Sequence, residues 1–220
     1  MDKLSERLLL IAKQVNYKDV ICDIGTDHAM IPIYLAKGNL ITKVYACDIA
    51  EKPLEQAKKN IAKYQVGDII TPILADGLQG LTNIKIDSCI ISGLGSASIF
   101  KILEQDCDLI DRYILCPNDD SFLLREWVKQ QKYFIEKELL IEENEIIYEI
   151  IVINKVAGQK VKNRKDILFG PLLRKERSKL FQEKWLLKND YYQTLLNRIP
   201  IKTKRYQEIK TKLKMINKVL

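Results

Sequence analysis

Residues Val20–Ile33 read VICDIGTDHAMIPI. The run Val20–Ile24 is apolar and rich in residues that favour β-strands, and it leads into a loop that opens with Gly25. A residue without Cβ allows a sharp turn and lets a ligand approach the backbone, while the N–H groups of the next helix start point toward that ligand. The stretch therefore predicts the first strand, turn and helix of an α/β nucleotide site.

This loop carries acids where a dinucleotide site carries glycines. Dinucleotide sites use the pattern G-x-G-x-x-G to hold a pyrophosphate, whereas Gly25 is followed by Thr26, Asp27 and His28, with no second glycine in the loop. Asp23 adds another carboxylate at the mouth of the strand. Two acids around a single glycine suit a cation-bearing ligand, and S-adenosylmethionine, with its ammonium, sulfonium and ribose, has that character.

Strand and helix patterns alternate through the first two thirds of the chain. Such alternation predicts a parallel sheet, and two last strands without a helix between them predict an antiparallel hairpin at one edge. This order is typical of the α/β class I S-adenosylmethionine-dependent methyltransferase (Rossmann-like) fold. The predicted strands are Val20–Ile24, Lys43–Asp48, Ile69–Leu74, Asp87–Ser92, Tyr113–Cys116, Tyr133–Ile141 and Glu145–Asn154. The predicted helices in this part are Leu4–Val15, His28–Ala36, Lys52–Tyr64, Ala97–Gln105 and Phe122–Gln130.

Two further acids follow the second and third predicted strands. Asp48 closes the second strand, where an ionised carboxylate can accept hydrogen bonds from both hydroxyls of an adenosine ribose. Asp76 and Gly77 follow the third strand, where methyltransferases of this class contact the adenine ring. Each has a simpler interpretation, because Asp48 can cap the helix Lys52–Tyr64 and Asp-Gly is a common turn dipeptide. Their order at successive strand ends favours a cofactor site.

Charge is distributed unevenly along the chain. Residues 155–220 carry 19 lysines and arginines against 5 acids, a net charge of +14, whereas residues 1–154 carry 17 against 24, a net charge of −7. A strongly basic segment is the electrostatic footprint of a nucleic-acid binder. A solvated lysine-rich helical face is the alternative. We therefore divide the chain into a methyltransferase domain, residues 1–154, and a basic helical C-terminal domain, residues 155–220.

Apolar periodicity in the second domain predicts a helical hairpin with a coiled-coil-like seam. Residues 155–165 resemble a polar linker, and Phe169–Pro171 is expected to precede a helix. Ile199–Ile201 contains a proline and separates two predicted helices. The seam positions are expected to be Leu180, Leu187, Tyr191 and Leu195 in one helix, and Tyr206, Ile209, Leu213, Ile216 and Leu220 in the other.

Several other classes of protein are disfavoured. The five cysteines are isolated and form no C-x-x-C pair, so we expect small buried side chains and no disulfides or zinc. A single histidine argues against multi-histidine metal sites, and a serine hydrolase is disfavoured because no G-x-S-x-G motif occurs. No apolar run approaches the roughly twenty residues of a membrane span, and no signal-peptide cleavage site is evident. We expect a cytoplasmic protein, a monomer, without metal.

Six segments together resemble the bacterial tRNA (adenine-22-N1)-methyltransferase family, often called TrmK. They are DIGTDHAMIPI at 23–33, CDI at 47–49, ADGL at 75–78, SGLGS at 92–96, CPN at 116–118 and ENEIIYEI at 143–150. The resemblance covers the whole chain, and DIGTDHA is its most specific piece because generic methyltransferases have more glycines there. It implies transfer of a methyl group from S-adenosylmethionine to N1 of one adenosine in tRNA.

The resemblance and the strand-end pattern together give the expected site residues. The expected cofactor contacts are Asp23, Gly25, Thr26, Asp27, His28, Asp48, Ile49, Asp76, Gly77 and Gly93. Methylation at N1 makes the adenine ring cationic, and a carboxylate near its 6-amino group can stabilise that charge or accept a proton. Asp27 is the first candidate for this role, and Asn118 is the second as a hydrogen-bonding group for the base edge. The alternative for Asp27 is that it only caps the helix from His28.

The chain departs from the family pattern in two segments. The family usually has G-M-G-G where this chain has Gly93-Leu94-Gly95-Ser96, and usually glutamine at Cys116. Both departures concern the substrate side and leave the acids of the cofactor side in place. They motivate a second hypothesis, a non-catalytic RNA-binding protein with a vestigial methyltransferase domain. A small-molecule methyltransferase is a third, although the basic C-terminal segment has no purpose there.

Overall fold

The computed structural model describes residues 4–220, which form nine α-helices and eight β-strands. The helices are α1 Glu6–Ala12, α2 Met30–Lys37, α3 Glu51–Lys63, α4 Ser96–Leu103, α5 Phe122–Gln130, α6 Arg164–Phe169, α7 Leu173–Glu176, α8 Lys179–Leu196 and α9 Lys204–Ile216. The strands are β1 Val20–Ile24, β2 Lys43–Asp48, β3 Ile70–Leu74, β4 Ser88–Ser92, β5 Arg112–Cys116, β6 Phe134–Glu143, β7 Ile146–Asn154 and β8 Gln159–Lys160.

All eight strands form one sheet in the order β3-β2-β1-β4-β5-β7-β6-β8. Strands β1 to β5 are parallel, and β7 and β6 are antiparallel additions beside β5. The predicted parallel sheet with an antiparallel edge hairpin is confirmed. The chain order reverses at β1, which lies between β2 and β4, and ligands of such sheets bind in the crevice at the carboxyl ends of the strands there.

Two hydrophobic clusters sandwich the sheet. Ile11 and Ile33 belong to the cluster beneath α1, α2 and α3, and Ile99 and Trp127 belong to the opposite one beneath α4 and α5. Central strands are buried on both faces by this arrangement, which explains why β1, β4 and β5 are mostly apolar and do not alternate with polar residues. Four of the five free cysteines are buried within the sheet, as predicted, whereas Cys107 is exposed.

Local caps move some helix boundaries from their predicted positions. Helix α1 begins after Ser5, whose Oγ accepts a hydrogen bond from the Leu8 N–H at 3.3 Å. Helix α2 begins at Met30 instead of His28, because Asp27 and Ala29 have left-handed backbones with φ of 49° and 55°. A helix cannot continue through such residues. Within residues 4–220, no helix combines the length and apolar character that crossing a membrane requires.

The predicted linker at residues 155–165 is wrong in part. Residues 159 and 160 form β8, which pairs with β6, and Val161 is buried against the core. Helix α6 then begins at Arg164, ahead of the predicted start, because Asn163 and Asp166 form a reciprocal capping box. The segment has a polar composition, and for that reason neither the short edge strand β8 nor the start of α6 could be predicted from it.

The predicted seam of α8 is also wrong. Leu187 is 63% exposed and Tyr191 57% exposed, while Leu180 and Leu195 are only half-buried. The buried face of α8 instead consists of Phe181, Lys184, Trp185, Asn189 and Tyr192. In α9 the prediction agrees at Ile209, Leu213 and Ile216, which are buried, but Leu220 lies past the helix and is exposed. The stripe with Phe181, Trp185 and Tyr192 is buried because α8 packs against both α9 and β6.

A buried cluster of four charges joins α8 to the sheet. Arg125 on α5 donates to Glu138 on β6 and to Glu149 on β7, both at 2.7 Å, and Lys184 on α8 donates to Glu149 at 2.7 Å. Burial opposes ionisation, yet the cations of Arg125 and Lys184 lower the pKa of Glu149 to about 2. The domain division at residues 154 and 155 stays a prediction, and this cluster crosses it.

Candidate functional site

The loop after β1 is held against the end of β2. Gly25 has φ of +73°, and its N–H donates to the Cys47 carbonyl at 2.9 Å, as does the Thr26 N–H at 3.0 Å. A side chain other than hydrogen is disfavoured at such a backbone angle. Gly25 therefore fixes a loop that passes over the carboxyl edge of the sheet, at the switch point beside β1.

Asp23 is a buried acid at this edge. Only 5% of the residue is exposed, and the Thr26 hydroxyl donates to its Oδ2 at 2.7 Å. Burial raises the pKa of Asp23 to about 6, against the Thr26 hydrogen bond and with a further contribution from the charge of Asp48. A buried carboxyl with a raised pKa is well suited to receive a cationic group, since the cation restores its charged form.

Asp48 has a structural role, but it does not cap α3 as the alternative interpretation expected, because Ala50 is the N-cap residue and that helix end has no side-chain capping hydrogen bond. Its Oδ1 accepts the Ala50 N–H at 2.9 Å, next to the start of α3, and its Oδ2 accepts the Asp27 N–H at 3.2 Å. The carboxylate therefore ties the loop after β1 to the tip of β2. Each oxygen has a second lone pair, so this role is compatible with acceptance from ribose hydroxyls. Ile49, directly after it, is an exposed apolar side chain beside the crevice.

The segment after β3 forms a tight turn. Gly77 has φ of +61°, and a Cβ at this position would lie 2.6 Å from Gln105 Oε1. The same Gln105 oxygen accepts the Leu78 N–H at 2.7 Å. Asp76 is exposed at this turn. A larger residue at position 77 would be strained by the positive φ and would collide with the Gln105 side chain. The Asp76 side chain is available to a ligand.

Asp27 and His28 project into solvent at the other side of the loop. The side chains are 64% and 53% exposed, and His28 Nε2 lies 3.5 Å from Asp27 Oδ2. Ala29 occupies the N-cap position of α2, and no side chain caps that helix end. The proposed capping role of Asp27 is therefore wrong, and its carboxylate is accessible.

Hydrogen bonds from Asn118 link the loop after β5 to the loop after β4. Asn118 Nδ2 donates to the Gly93 carbonyl at 2.6 Å, and its N–H donates to the Leu94 carbonyl at 2.8 Å. This orientation leaves Asn118 Oδ1 as the group that can accept from a ligand. Gly93 has φ of +78°, and a Cβ built on it would meet open space. The crevice is therefore open above β4.

Two of the three residues that depart from the family pattern, Ser96 and Cys116, are buried. Ser96 begins α4, and its N–H donates to Asp119 Oδ1 at 2.7 Å. Cys116 is fully buried at the end of β5, where burial raises the pKa of its thiol to about 11 against the nearby Arg7 guanidinium. Neither side chain presents a bulky group to solvent at the mouth of the crevice.

A groove of about 580 Å³ adjoins Asn118, and we call it the α8 groove. Its walls are the loop Pro117–Asp120, residues 145–148 at the start of β7, and facing residues of α8 and α9. This groove was not predicted from the sequence, because Leu187 and Tyr191 were expected in a buried seam. The competing aromatic stripe Phe181, Trp185 and Tyr192 was the available signal.

The expected site residues are therefore distributed along one edge of the sheet. Residues of the loop after β1 and the tips of β2, β3 and β4 surround the crevice, and Asn118 stands between the crevice and the α8 groove. Within residues 4–220, no three histidine, cysteine or acidic side chains are grouped so that they could hold a metal ion.

The sequence matches a known family over most of its length. The sequence model of the family described as "TrmK: tRNA (adenine(22)-N(1))-methyltransferase" matches residues 21–218. The tRNA (adenine(22)-N(1))-methyltransferase of Bacillus subtilis (strain 168) is 31% identical over 204 residues, which are 90% of this chain and 86% of that protein.

Two solved structures of similar proteins contain the cofactor or its product. M. capricolum TrmK in complex with S-adenosyl-homocysteine is 36% identical and superposes with a TM-score of 0.91 over 98% of this chain and 96% of that chain. Streptococcus pneumoniae Sp1610 in complex with S-adenosyl-L-methionine is 31% identical, with a TM-score of 0.88 over 99% and 100% of the two chains. The chain belongs to the tRNA (adenine(22)-N(1))-methyltransferase family.

Proposed function

We propose that this chain transfers the methyl group of S-adenosylmethionine to N1 of adenosine 22 of tRNA. The observation that carries the proposal is the position of Asn118, which links an acid-lined crevice at the switch point to a groove large enough for a nucleotide. Pockets of about 300–1,000 Å³ are the usual size of small-ligand sites. Family membership gives the reaction type, and the residues of the crevice fit it.

The crevice has the groups that S-adenosylmethionine requires. Asp23 and the backbone around Gly25 would hold the cationic methionine end, because a buried carboxyl favours a positive partner. Asp48 would accept from the ribose hydroxyls, and Ile49 and Asp76 would contact the adenine. Thr26, His28, Gly77 and Gly93 complete the walls by the same assignment. When bound, the cofactor supplies an activated methyl group on its sulfonium.

Asn118 offers a means of selecting adenine. Because Nδ2 is bonded to the Gly93 carbonyl, Oδ1 faces a ligand as an acceptor. The 6-amino group of adenine is a donor at the edge next to N1, so this pairing would hold N1 toward the crevice. Guanine has an acceptor at the equivalent position and would meet oxygen with oxygen. Correct orientation of the attacking nitrogen supplies much of the rate in such a transfer.

Asp27 is the proposed group for the charge that develops on the ring. Methylation turns a neutral adenine into a cation, and an accessible carboxylate nearby would stabilise that cation or accept a proton from the 6-amino group. The exposed carboxylate of Asp27, beside His28, is consistent with this role. The basic segment 155–220 would hold tRNA phosphates, and a tRNA substrate makes the cytoplasm the expected location.

The test is nucleoside mass spectrometry of a tRNA incubated with the protein and S-adenosylmethionine. We expect 1-methyladenosine with the wild type, a much lower yield with Asn118→Ala, and a normal yield with the control Asn16→Ala. Asn16 is exposed before β1, at the opposite edge of the sheet. Methylation of guanosine alone would refute the proposal.

Cofactor binding separates an enzyme from a vestigial domain. A saturating ligand at a hundred times its dissociation constant adds about 2.7 kcal/mol to the free energy of unfolding. We therefore expect S-adenosylhomocysteine to raise the melting temperature. The absence of any ligand-dependent shift would favour the non-catalytic alternative.

A further inference from the structure

Three large apolar side chains are exposed around the α8 groove. Ile146 is 49% exposed, Leu187 63% and Tyr191 57%, and all three line the groove. Single exposed apolar residues are ordinary, but a contiguous group that lines a concave surface marks a binding site. The group includes a tyrosine ring, which can present a flat face to a ligand.

The fold keeps these side chains at the surface. The opposite face of α8 is anchored by Phe181 and Trp185, which pack with Phe169 at ring-centroid distances of 6.4 and 4.6 Å. Lys184 is fixed on Glu149 by the buried ion pair. A rotation of α8 that buried Leu187 and Tyr191 would break these contacts. Their exposure is therefore a property of the packed structure.

The charges that line the groove are balanced. Four basic residues, Lys184, Lys188, Arg205 and Lys212, accompany four acidic ones, Asp119, Asp120, Glu145 and Glu208. Two of the four basic side chains form ion pairs within the protein, since Lys184 contacts Glu149 and Lys188 contacts Asp120. The Lys212 ammonium lies over two aromatic rings, 4.6 Å from the Phe122 centroid and 5.6 Å from that of Tyr192.

This balance of charge favours a nucleobase over a phosphate group as the ligand of the groove. A phosphate backbone requires an excess of positive charge, whereas a nucleobase is neutral, has an apolar face and offers both donors and acceptors at its edge. Unstacked bases in RNA complexes stack on aromatic side chains and hydrogen-bond along their edges. The apolar surface with mixed polar groups suits a base.

We propose that the α8 groove holds the base of a tRNA nucleotide adjacent to the methylated adenosine, stacked on Tyr191. The inference rests on the proposed function, because Asn118 lines the same groove and would hold the target base at its inner end. Extrusion of a target base from its stack breaks the stacking of its neighbour. A second stacking surface compensates for that loss and stabilises the extruded state.

The first experiment measures tRNA binding to the full-length protein with S-adenosylhomocysteine present. Loss of a base–aromatic stack lowers affinity by roughly 5- to 150-fold. We expect this loss for Tyr191→Ala, near-normal affinity for Tyr191→Phe, and no change for Tyr17→Ala. Tyr17 is 71% exposed and precedes β1 at the far edge of the sheet. Unchanged affinity for Tyr191→Ala would overturn the proposal.

Neighbouring leucines provide a matched control on α8 itself. Leu186 and Leu187 are both exposed, but only Leu187 lines the groove. We expect Leu187→Ser to weaken tRNA binding and Leu186→Ser to leave it unchanged. Equal effects of the two substitutions would contradict a role for the groove.

An abasic tRNA identifies the contact. Two tRNAs would each lack one base, on the 5′ or 3′ side of the target adenosine. On one of them the penalty of Tyr191→Ala should shrink to less than about twofold, because the stacking partner is already absent. A penalty of the same size on intact and on both abasic tRNAs would exclude base stacking by Tyr191.

Other outcomes are distinguishable from these. A concentration-dependent dimer in sedimentation that Tyr191→Ala dissociates, with tRNA affinity unchanged, would assign the groove to a second copy of the chain and overturn the proposal. Absence of 1-methyladenosine, while Tyr191→Ala still weakens tRNA binding and one abasic tRNA removes that penalty, would refute the proposed function and keep the groove as a base-binding site. Absence of tRNA binding by the wild type would overturn both.

Discussion

Replacement of Lys184 tests the buried charge cluster most directly. Arg125, Glu138, Glu149 and Lys184 together carry no net charge, and all four side chains are almost fully buried. Lys184→Met retains an unbranched side chain but leaves the cluster with one excess negative charge. Removal of one partner from a buried pair costs about 3–5 kcal/mol, because the other charge stays buried without compensation.

The expected loss is large enough to measure by calorimetry or urea denaturation. For a chain of this size, 1 kcal/mol corresponds to a shift of about 2–4 °C in the melting temperature. Lys184→Met should therefore melt about 6–20 °C below the wild type. The double variant Lys184→Met with Glu149→Gln restores neutrality, since Arg125 and Glu138 still form a pair. We expect the double variant to be more stable than either single one.

Lys179→Met is the matched control on the same helix. Lys179 is exposed, and its Nζ lies 3.5 Å from Glu183 Oε1, so its loss should cost less than about 1 kcal/mol. A Lys184→Met variant as stable as this control would refute the charge argument. A double variant no more stable than Lys184→Met would show that packing, and not charge balance, determines the effect.

Three further predictions concern ligands. Asp48→Asn should lower the affinity for S-adenosylmethionine by about 1.5–3 kcal/mol in calorimetry, and wild-type affinity would remove Asp48 from the site. Because burial raises the pKa of Asp23 from 3.8 to about 6, its contribution to stability is present below about pH 4 and lost as pH rises through 6. A cationic ligand favours the ionised form, so cofactor affinity should rise through the same interval, and Asp23→Asn should abolish that dependence. Lys202→Glu with Lys204→Glu should weaken tRNA binding and reduce the log–log salt slope by about 0.7–0.9 for each phosphate that is no longer neutralised, and a slope equal to that of the wild type would contradict a phosphate role.

The features of the proposed cofactor crevice could be predicted because they depend on residues that are close together in the sequence. The apolar run of β1, the single Gly25 and the acids at strand ends each act through local backbone geometry and chain order. Strand alternation then determines which ends share an edge of the sheet, so Asp23, Asp48 and Asp76 could be assigned to one crevice without coordinates. The roles of these residues remain proposals.

The caps and short elements were less accessible to sequence reasoning. Helix capping was the alternative role for Asp27, but its left-handed backbone and that of Ala29 delay α2 to Met30. The β8 strand has two residues, too few for any periodic pattern, and it exists because β6 offers an unpaired edge. Such features depend on what lies beside the chain in space.

The succession of strands and helices, the acids and glycines at the strand ends and the basic C-terminal segment could be read from the chain, because periodicity, loop chemistry and charge are properties of the chain alone. Which stripe of α8 is buried could not be read in this way. Two apolar stripes satisfy the same helical period, and the choice depends on β6, α9 and the buried partner of Lys184. Packing selects the aromatic stripe, and it thereby leaves Leu187 and Tyr191 to line the α8 groove.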